Sequence, residues 1–207
     1  MSPVSGILLA AGPCRRFGGR PKPLLELQGR PLVQRIATEA AASRLHDLVA
    51  VVGYQAERVG PLLGGRPIAV VENPLWEEGQ STSVRAGLAA LPPEAGAAMF
   101  LMVDQPLLTA AVIDRLIAAW ERTGGPIVVP VNAGRRGSPV IFDRSLFAEL
   151  ARITGDTGGR QLFAEHEAEI VEVHIDDAGA LVDVDSPDEY ERLLRSVGGQ
   201  PPGTGSA

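Results

Sequence analysis

The chain contains 207 residues, of which 45% are apolar, and it carries a formal net charge of −6 at pH 7. This length supports one sizeable α/β core but is short for two domains, and the acidic balance excludes the broad basic face that sequence-independent nucleic-acid binding requires. The single cysteine, Cys14, excludes an internal disulfide and a four-cysteine metal site.

The sequence shows no signal that would direct the chain to a membrane or out of the cell. No run of about 18 apolar residues occurs, and Met1 leads into a strand-like segment without a charged region or a cleavage site. We therefore expect a cytoplasmic protein that binds neither nucleic acid nor membrane. Residues 1–197 are expected to form one domain, and the Gly/Pro-rich residues 198–207 are expected to form a disordered tail.

Short apolar runs alternate with amphipathic segments along the chain. The runs predict strands at 4–10, 48–52, 68–72, 97–103, 127–131, 138–142, 169–175 and 182–185. The amphipathic segments predict helices from residue 31 onward and at 55–63, 81–91, 109–120, 144–152, 159–166 and 187–197. Ser81 or Ser83 is available to cap the third of these helices, and Thr109 the fourth. Alternation of this kind is typical of βαβ units, so we predict a single Rossmann-like α/β domain whose mixed sheet is mainly parallel and carries helices on both faces.

The loop after the first predicted strand combines glycines with positive charge. It contains no acidic residue and holds Gly12, Arg15, Arg16, Gly18, Gly19, Arg20 and Lys22. Ligands of such folds bind outside the carboxyl ends of the strands, and a glycine-containing cationic loop at this place is expected to bind an anion. The loop lacks both the G-x-x-x-x-G-K-[ST] and the G-x-G-x-x-G patterns. Its backbone amides can wrap a triphosphate that Arg16 and Lys22, the only lysine of the chain, neutralise.

These residues resemble a known family. The segment Leu9-Ala-Ala-Gly12 with Arg16, Gly18 and Lys22 is similar to the L-A-[AG]-G-x-S-x-R-M-G-x-x-K signature of the molybdenum cofactor nucleotidyltransferases. Cys14 and Phe17 depart from it, since the family usually has serine and methionine there. The similarity continues through Gly79-Gln-Ser-Thr-Ser-Val-Arg-Ala-Gly-Leu88, Asp104-Gln-Pro106, Gly137-Ser-Pro-Val140, Gly155-Asp-Thr-Gly-Gly-Arg160 and Asp183-Val-Asp-Ser-Pro-Asp-Glu-Tyr190.

The resemblance implies a fold, a reaction and its participants. Ala11, Asp104-Gln-Pro106 and the segment 80–83 resemble the cytidylyltransferase branch, because the guanylyltransferase branch tends to carry glycine at the position of Ala11. The implied fold is that of the nucleotide-diphospho-sugar transferases. In the implied reaction, the terminal phosphate of molybdopterin attacks the α-phosphate of CTP with Mg²⁺ as cofactor, and a molybdoenzyme or its maturation chaperone is a further partner. The alternatives are a GTP-dependent or other phosphometabolite transferase on the same fold and a non-catalytic maturation factor.

The predicted site residues fall into three groups. Lys22, Arg16 and Asp104 are the predicted catalytic residues, and Asp104 and Asp185 are the predicted metal ligands. The predicted nucleotide-binding residues are Leu9, Ala10, Ala11, Gly12, Arg16, Lys22, Gly79, Gln80 and Ser83. Because the implied nucleophile is a phosphate oxygen that is already ionised, no general base is needed, and His46, His166 and His174 all lie outside the motifs.

Several of these assignments have alternatives. Asp104 follows a strand and offers Mg²⁺ a hard oxygen ligand, or it forms a turn with Pro106. Asp183 shares a strand face with Asp185 and is the alternative ligand, while Ser186-Pro187 also reads as an ordinary helix start.

The Gln80 amide can both donate to and accept from a pyrimidine edge, whereas Ser83 contacts the base or caps a helix. Arg135 and Arg136 contact the phosphate of the second substrate or form a solvated pair. Cys14 is redox-sensitive or a tolerated replacement for serine.

Overall fold

The computed structural model describes residues 3–13 and 15–198, so Cys14 and residues 199–207 of the predicted tail lie outside the described residues. Within the described part the strands are β1 (Val4–Ala10), β2 (Glu26–Leu27), β3 (Arg30–Pro31), β4 (Leu48–Val52), β5 (Ala69–Glu72), β6 (Ala97–Met102), β7 (Ile127–Asn132), β8 (Arg135–Arg136), β9 (Val140–Asp143) and β10 (Ile170–His174). The α-helices are α1 (Leu32–Ala42), α2 (Ala56–Val59), α3 (Gln80–Ala89), α4 (Ala110–Thr123), α5 (Phe147–Leu150) and α6 (Pro187–Ser196).

The main sheet has the strand order β10-β7-β9-β6-β1-β4-β5, and β8 pairs with β7 at its side. The pairs of β1 with β4 and β6, of β4 with β5, and of β7 with β10 are parallel. Only β9 and β8 among the paired strands described for this sheet run antiparallel to their neighbours. The predicted mixed and mainly parallel sheet is therefore confirmed.

Helices cover both faces of the sheet, so its central strands are buried on both sides. Along β1, Leu8 and Ala10 belong to the core beneath α1, α4 and α6, whereas Ile7 and Leu9 belong to the core beneath α3 and α5. This division follows from the two-residue period of a strand, which sends successive side chains to opposite faces. The prediction of helices on both faces is thus confirmed.

The carboxyl ends of β1, β4, β5 and β6 meet at one edge of the sheet because these strands are parallel neighbours. Each of them leads into a segment that the sequence singles out. Close packing at this edge requires Gly53, where an added Cβ would lie 2.8 Å from the Trp76 Cβ and 2.9 Å from the Ala11 Cβ. The backbone after β4 therefore brings the loop after β1 next to the segment after β5.

Some predicted elements differ from the structure. The segment 182–185 is wrong as a strand: Val184 lies past the end of β6, where its N–H donates to the Asp104 carbonyl at 2.8 Å, and it joins no ladder. The helix at 144–152 consists of a 3₁₀ turn followed by the short α5, and the helix at 159–166 is a 3₁₀ turn over Gly158–Phe163. Two adjacent glycines begin that turn and weaken an α-helix there.

The predicted helix caps have different outcomes. Thr109 caps α4 by accepting from the Val112 N–H, and Ser186 forms a capping box with Glu189 at the start of α6, so both of these predictions are confirmed. Ser81 and Ser83 are wrong as caps, because α3 already begins at Gln80 and Gly79 occupies the cap position. No helix in the described residues is long and apolar enough to cross a membrane.

Candidate active site

A crevice with two adjoining lobes opens at the carboxyl ends of β1 and β6. The first lobe has a volume of about 630 Å³. Of the predicted residues it is lined by Leu9, Ala11, Gly12, Arg16, Lys22, Gly79, Gln80, Ser83, Asp104 and Asp185. Ala10 is the predicted residue that does not line it, because its side chain points to the opposite sheet face and is 2% exposed. Folding thus brings residues from four separate segments of the sequence to one cavity.

Lys22 lies between two of the carboxylates in this lobe. Its Nζ is 2.8 Å from Asp185 Oδ1 and 3.3 Å from Asp104 Oδ2, and its side chain is 14% exposed. A 3₁₀ turn over Lys22–Leu24 begins after Pro21 and buries Pro23, which fixes the direction of the chain at the lysine. The ammonium group offsets the repulsion between two carboxylates that would otherwise face each other in a partly enclosed site.

Asp104 has the chemical character of a metal ligand. Its Oδ1 atom is buried without a hydrogen-bond partner. Burial raises the pKa of its carboxyl group, the positive charge of Lys22 lowers it, and the negative charge of Asp185 raises it again. Mg²⁺ prefers carboxylate oxygens together with substrate phosphates, so the unpartnered oxygen of Asp104 and the neighbouring Asp185 fit a divalent cation.

The two candidates for the second carboxylate occupy different places. Asp185 contacts Lys22 and lines both lobes, whereas Asp183 lines only the second lobe. Partial enclosure, followed by the charge of Asp104, raises the pKa of Asp183 to about 6. The buried Val184 between them turns both carboxylates away from the core, so they share the crevice although the segment is not a strand. The geometry favours Asp185 as the partner of Asp104.

The cationic loop between β1 and Lys22 is attached to its surroundings on two sides. The Tyr54 hydroxyl donates to the Gly19 carbonyl at 3.2 Å, and the Tyr54 N–H donates to the Ala11 carbonyl at 2.9 Å. On the other side, the Phe17 ring contacts the edge of the Tyr190 ring at 6.2 Å between centroids. Arg16 is exposed at the mouth of the first lobe. The loop is therefore placed over the lobe with its cation facing the cavity.

Helix α3 delivers Gln80 and Ser83 to the first lobe. Its cap residue Gly79 offers no side chain, and the Asp156 carboxylate instead accepts from the Gln80 N–H at 3.0 Å. Ser83 accepts at its hydroxyl from the buried Asn73 amide at 3.0 Å. Gln80 donates weakly from its side chain to the Met102 sulfur at 3.7 Å. Both predicted residues are thus held by neighbours while they line the lobe.

The second lobe has a volume of about 490 Å³ and continues from the first. Leu9, Gln80, Met102, Asp104, Asp156 and Asp185 line both lobes, so the carboxylates lie at the junction. The lining of the second lobe includes the apolar Phe100, Val140 and Phe142 and the polar Ser138, Thr157, Arg160 and Asp183. Arg160 donates to the Ser138 hydroxyl at 3.3 Å. A ligand in each lobe could therefore reach the same carboxylates.

Several lining residues were not predicted as site residues. Trp76, Glu77 and Met102 line the first lobe, and Asp156 and Arg160 belong to the Gly155-Asp-Thr-Gly-Gly-Arg160 segment. The signal for the last two was present, since that segment is one of the motifs that carry the family resemblance. No pattern in the sequence singles out Trp76, whose place depends on the glycine at position 53.

Other candidate residues lie elsewhere. Arg136 is bound to Glu167 and Glu172 at 2.7 Å, and these hydrogen bonds raise the pKa of its guanidinium. Within residues 3–13 and 15–198, neither the pair Arg135 and Arg136 nor any histidine lines either lobe. The alternative of a solvated pair fits the exposed Arg135, whereas Arg136 forms an ion pair with two glutamates, which the sequence analysis did not predict.

The proteins with similar sequences include an oxidoreductase and a transferase. Nicotine blue oxidoreductase of Paenarthrobacter nicotinovorans is 31% identical over 202 residues, which cover 92% of this chain and 96% of that protein. The molybdenum cofactor cytidylyltransferase of Escherichia coli is 25% identical over 193 residues, which cover 92% of this chain and 95% of that enzyme.

Solved structures agree with the fold. Rv0371c from Mycobacterium tuberculosis, determined in complex with manganese, is 30% identical and has a TM-score of 0.78, covering 94% of this chain and 99% of that one. A nucleotidyl transferase from Methanothermobacter is 21% identical and has a TM-score of 0.80, covering 95% of this chain and 100% of that one. The predicted nucleotide-diphospho-sugar transferase-like fold is confirmed.

A family match covers most of the chain, including the cationic loop, α3 and Asp104. Residues 6–170 match the MobA-like NTP transferase domain. The chain is therefore a member of the MobA-like NTP transferase domain family of nucleotidyltransferases.

Proposed function

We propose that the protein transfers CMP from CTP to the terminal phosphate of molybdopterin, with molybdenum bound to it, and thereby forms molybdopterin cytosine dinucleotide and pyrophosphate. The observation that carries the proposal is the cluster of Lys22, Asp104 and Asp185: the two carboxylates lie at the junction of the lobes, and the lysine between them lines the first lobe. The first lobe takes the donor, whose triphosphate meets the cationic loop. The second lobe takes the acceptor, which approaches from the side of Ser138 and Arg160.

The reaction is a displacement at the α-phosphorus of the donor. An acceptor phosphate oxygen forms the new P–O bond while the bond to the β-phosphate breaks, and pyrophosphate carries the electron pair away. Because the attacking oxygen is already ionised near neutral pH, no side chain needs to remove a proton. The chain's own contribution is to hold the two phosphates in line and to supply positive charge.

Named residues divide this work. Lys22 and Arg16 face the first lobe and neutralise the leaving pyrophosphate, in the manner of the cationic clamps that stabilise phosphoryl-transfer transition states. Asp104 and Asp185 would hold Mg²⁺, which supplies Lewis-acid neutralisation of the phosphate oxygens when it is bound. The manganese in the Rv0371c structure supports a divalent cation in this family.

The assignments of cytosine and of molybdopterin are supported by different observations from those that support triphosphate binding. Cytosine is supported by Ala11, which matches the cytidylyltransferase branch, and by the likeness to the Escherichia coli enzyme. Ala11 is 2% exposed, and its Cβ would lie 2.9 Å from a Cβ added at Gly53. Ala11 is therefore closely packed where it lines the first lobe. Molybdopterin as the acceptor, and a molybdoenzyme or its chaperone as the recipient, are supported by the same likeness.

Thermal unfolding with each nucleoside triphosphate in Mg²⁺ tests the donor. A ligand at a hundredfold excess over its Kd stabilises the folded state by about 2.7 kcal/mol, which corresponds to a rise in Tm of roughly 5–10 °C for a chain of this size. CTP should give the largest rise, and EDTA should remove it. A larger rise with GTP would favour the guanylyltransferase alternative.

Pyrophosphate release tests catalysis. Release that depends on molybdopterin is expected, whereas binding of both ligands without release would favour a non-catalytic maturation factor. The 31% identical relative is named as an oxidoreductase, so oxidoreductase activity is a second alternative, of a different class. Reduction of nicotine blue by the same preparation with an added two-electron reductant, together with no response to any triphosphate, would favour that alternative.

A further inference from the structure

Two segments that are distant in the sequence interlock at the junction of the lobes. The segment 155–158, here called the 155–158 loop, and the start of α3 both border this junction, since Asp156 and Gln80 each line both lobes. The Asp156 carboxylate accepts from the Gln80 N–H at 3.0 Å, and the Gly155 carbonyl accepts from the Ser81 N–H at 3.0 Å. The loop thereby takes the place of the side-chain cap that Gly79 cannot provide.

The interlock is so close that an added methyl group would force a neighbouring group to move. An added Cβ at Gly79 would lie 2.7 Å from the Gly155 carbonyl oxygen, and one at Gly158 would lie 2.6 Å from Gln80 Oε1. Gly158 has a φ of +56°, a backbone conformation that favours glycine. The loop therefore holds the Gln80 backbone through Asp156 and limits its side chain through Gly158.

Gln80 is confined on its other side as well. Its Nε2 lies 3.7 Å from the Met102 sulfur at the end of β6, and the residue lines both lobes. The amide is thus held between the 155–158 loop and β6. A side chain fixed in this way presents its donor and acceptor in one arrangement, which is the condition for discriminating between bases by hydrogen bonding.

We infer that the 155–158 loop, which borders the acceptor lobe, determines donor base selectivity by positioning Gln80. The inference rests on the proposed function and adds to it a role for this loop. Asp156 and Gly158 are positioning residues, because they act through Gln80. Lys22 and Arg16, which the proposed function assigns to the triphosphate, come from the loop after β1, a different segment of the lining of the first lobe.

Two glycines of one loop provide a matched test. Gly158→Ala places its methyl group against the Gln80 amide, whereas Gly155→Ala, with a φ of +71°, meets nothing within 4 Å. Both substitutions impose alanine on a left-handed conformation, so both should lower Tm by a similar few degrees. Only Gly158→Ala should displace the flexible end of Gln80.

Binding of the four nucleoside triphosphates and of inorganic tripolyphosphate, all with Mg²⁺, is measured by calorimetry for each variant. Base preference is the Kd for each other triphosphate divided by the Kd for the preferred one. In Gly158→Ala this ratio should fall by about two- to tenfold, which corresponds to the free energy of one hydrogen bond. Its affinity for tripolyphosphate should equal that of the wild type. Gly155→Ala should keep both the base preference and the tripolyphosphate affinity.

A second pair of variants acts through the backbone contact. Asp156→Ala removes the acceptor for the Gln80 N–H and should weaken the base preference, whereas Asp156→Asn keeps an acceptor oxygen and should restore most of it. Gln80→Ala should lose the preference, and adding Gly158→Ala to it should cause no further loss, because both act through one side chain.

The outcomes separate the inference from the proposed function. The inference is overturned if Gly158→Ala keeps the base preference of the wild type, or if Gly155→Ala loses as much of that preference as Gly158→Ala does. Either result leaves the proposed function intact. A proportional loss of tripolyphosphate affinity in Gly158→Ala also overturns it, since the loop would then act on the whole site. A wild-type protein that binds no triphosphate more tightly than tripolyphosphate contradicts both.

Discussion

The Nζ atom of Lys22 lies 2.8 Å from Oδ1 of Asp185, although the two residues are 163 positions apart in the sequence. The contact joins the loop after the first strand to the segment before the last helix, and Asp104 completes the cluster from the end of β6. Because one ammonium group serves two carboxylates, the substitution of any of the three residues changes the charge balance of the other two.

Lys22→Met tests the cation at the centre of this cluster. The variant retains most of the side-chain volume and removes the charge that faces the leaving group. We expect turnover to fall by about 10²–10³-fold, the usual effect of removing one preorganised donor from a charged transition state. Steady-state pyrophosphate release measures it.

Lys22→Arg is the matched variant, since it keeps the charge but replaces a compact ammonium with a planar fork. It should retain part of the activity. Full turnover in Lys22→Met would remove Lys22 from the mechanism.

Asp104→Asn tests the metal site. The substitution preserves shape, removes the negative charge and replaces one of the two carboxylate oxygens, of which Oδ1 lies buried without a hydrogen-bond partner. The apparent Kd for Mg²⁺ or Mn²⁺, measured by the rise in Tm on titration, should increase at least about tenfold, the lower end of the effects seen when metal-site residues are altered. The metal-free Tm should change by only a few degrees.

Asp185→Asn and Asp183→Asn distinguish the two candidates for the second ligand. Asp185→Asn should weaken metal binding as Asp104→Asn does, whereas Asp183→Asn should leave it close to that of the wild type. The reverse order would assign the second ligand to Asp183.

Tyr54→Phe tests the attachment of the cationic loop. The change removes the hydroxyl that donates to Gly19 and keeps the ring, which packs against Trp76 at 5.3 Å between centroids. Loss of one hydrogen bond should raise the Kd for both the triphosphate and inorganic tripolyphosphate by about two- to tenfold. Equilibrium binding in Mg²⁺ measures the change.

The only other tyrosine, Tyr190, provides the control. Its hydroxyl is bonded to the Glu26 backbone rather than to the loop. Tyr190→Phe should lower Tm and keep triphosphate affinity; equal losses of affinity in both variants would contradict a specific role for Tyr54.

His166 should make stability depend on pH. Hydrogen bonds to Glu149 and then to Glu169 raise the pKa of its imidazole above 6.5. A raised folded-state pKa stabilises the fold below the unfolded value, and this contribution is lost as the pH rises through the folded value. The Tm of the wild type should therefore exceed that of His166→Gln most at about pH 6.

The difference should shrink as the pH increases to about 9, where the neutral imidazole no longer attracts the two carboxylates. His174→Gln, at an exposed position, controls for the removal of an imidazole. A difference between wild type and His166→Gln that grows with pH would contradict the assigned sign.

Long apolar runs and side-chain caps could be predicted from the sequence because their signals are local. The seven buried residues of β1 and the Thr109 cap of α4 are examples. The hairpin of β2 and β3 could not be predicted, since strands of two residues leave no periodicity. The segment 182–185 alternates as a strand does, but it lies beyond the end of β6 and has no ladder to join.

The candidate site divides in the same way. Lys22, Asp104 and Asp185 follow predicted elements within recognisable motifs, and their common location follows from the parallel sheet. The capping of α3 by Asp156 could not be predicted, because the two segments are 76 residues apart and the contact depends on close approach of glycines. The wall formed by Trp76 likewise depends on the absence of a side chain at Gly53.

The most direct test of the central claim is the mass of the product formed from molybdopterin, Mg²⁺ and each nucleoside triphosphate in separate incubations. The account predicts a product with the mass of molybdopterin cytosine dinucleotide, formed together with pyrophosphate from CTP, and formed far more slowly by Lys22→Met. A guanine dinucleotide would contradict the assigned donor. The absence of any dinucleotide with all four triphosphates would contradict nucleotidyl transfer to molybdopterin.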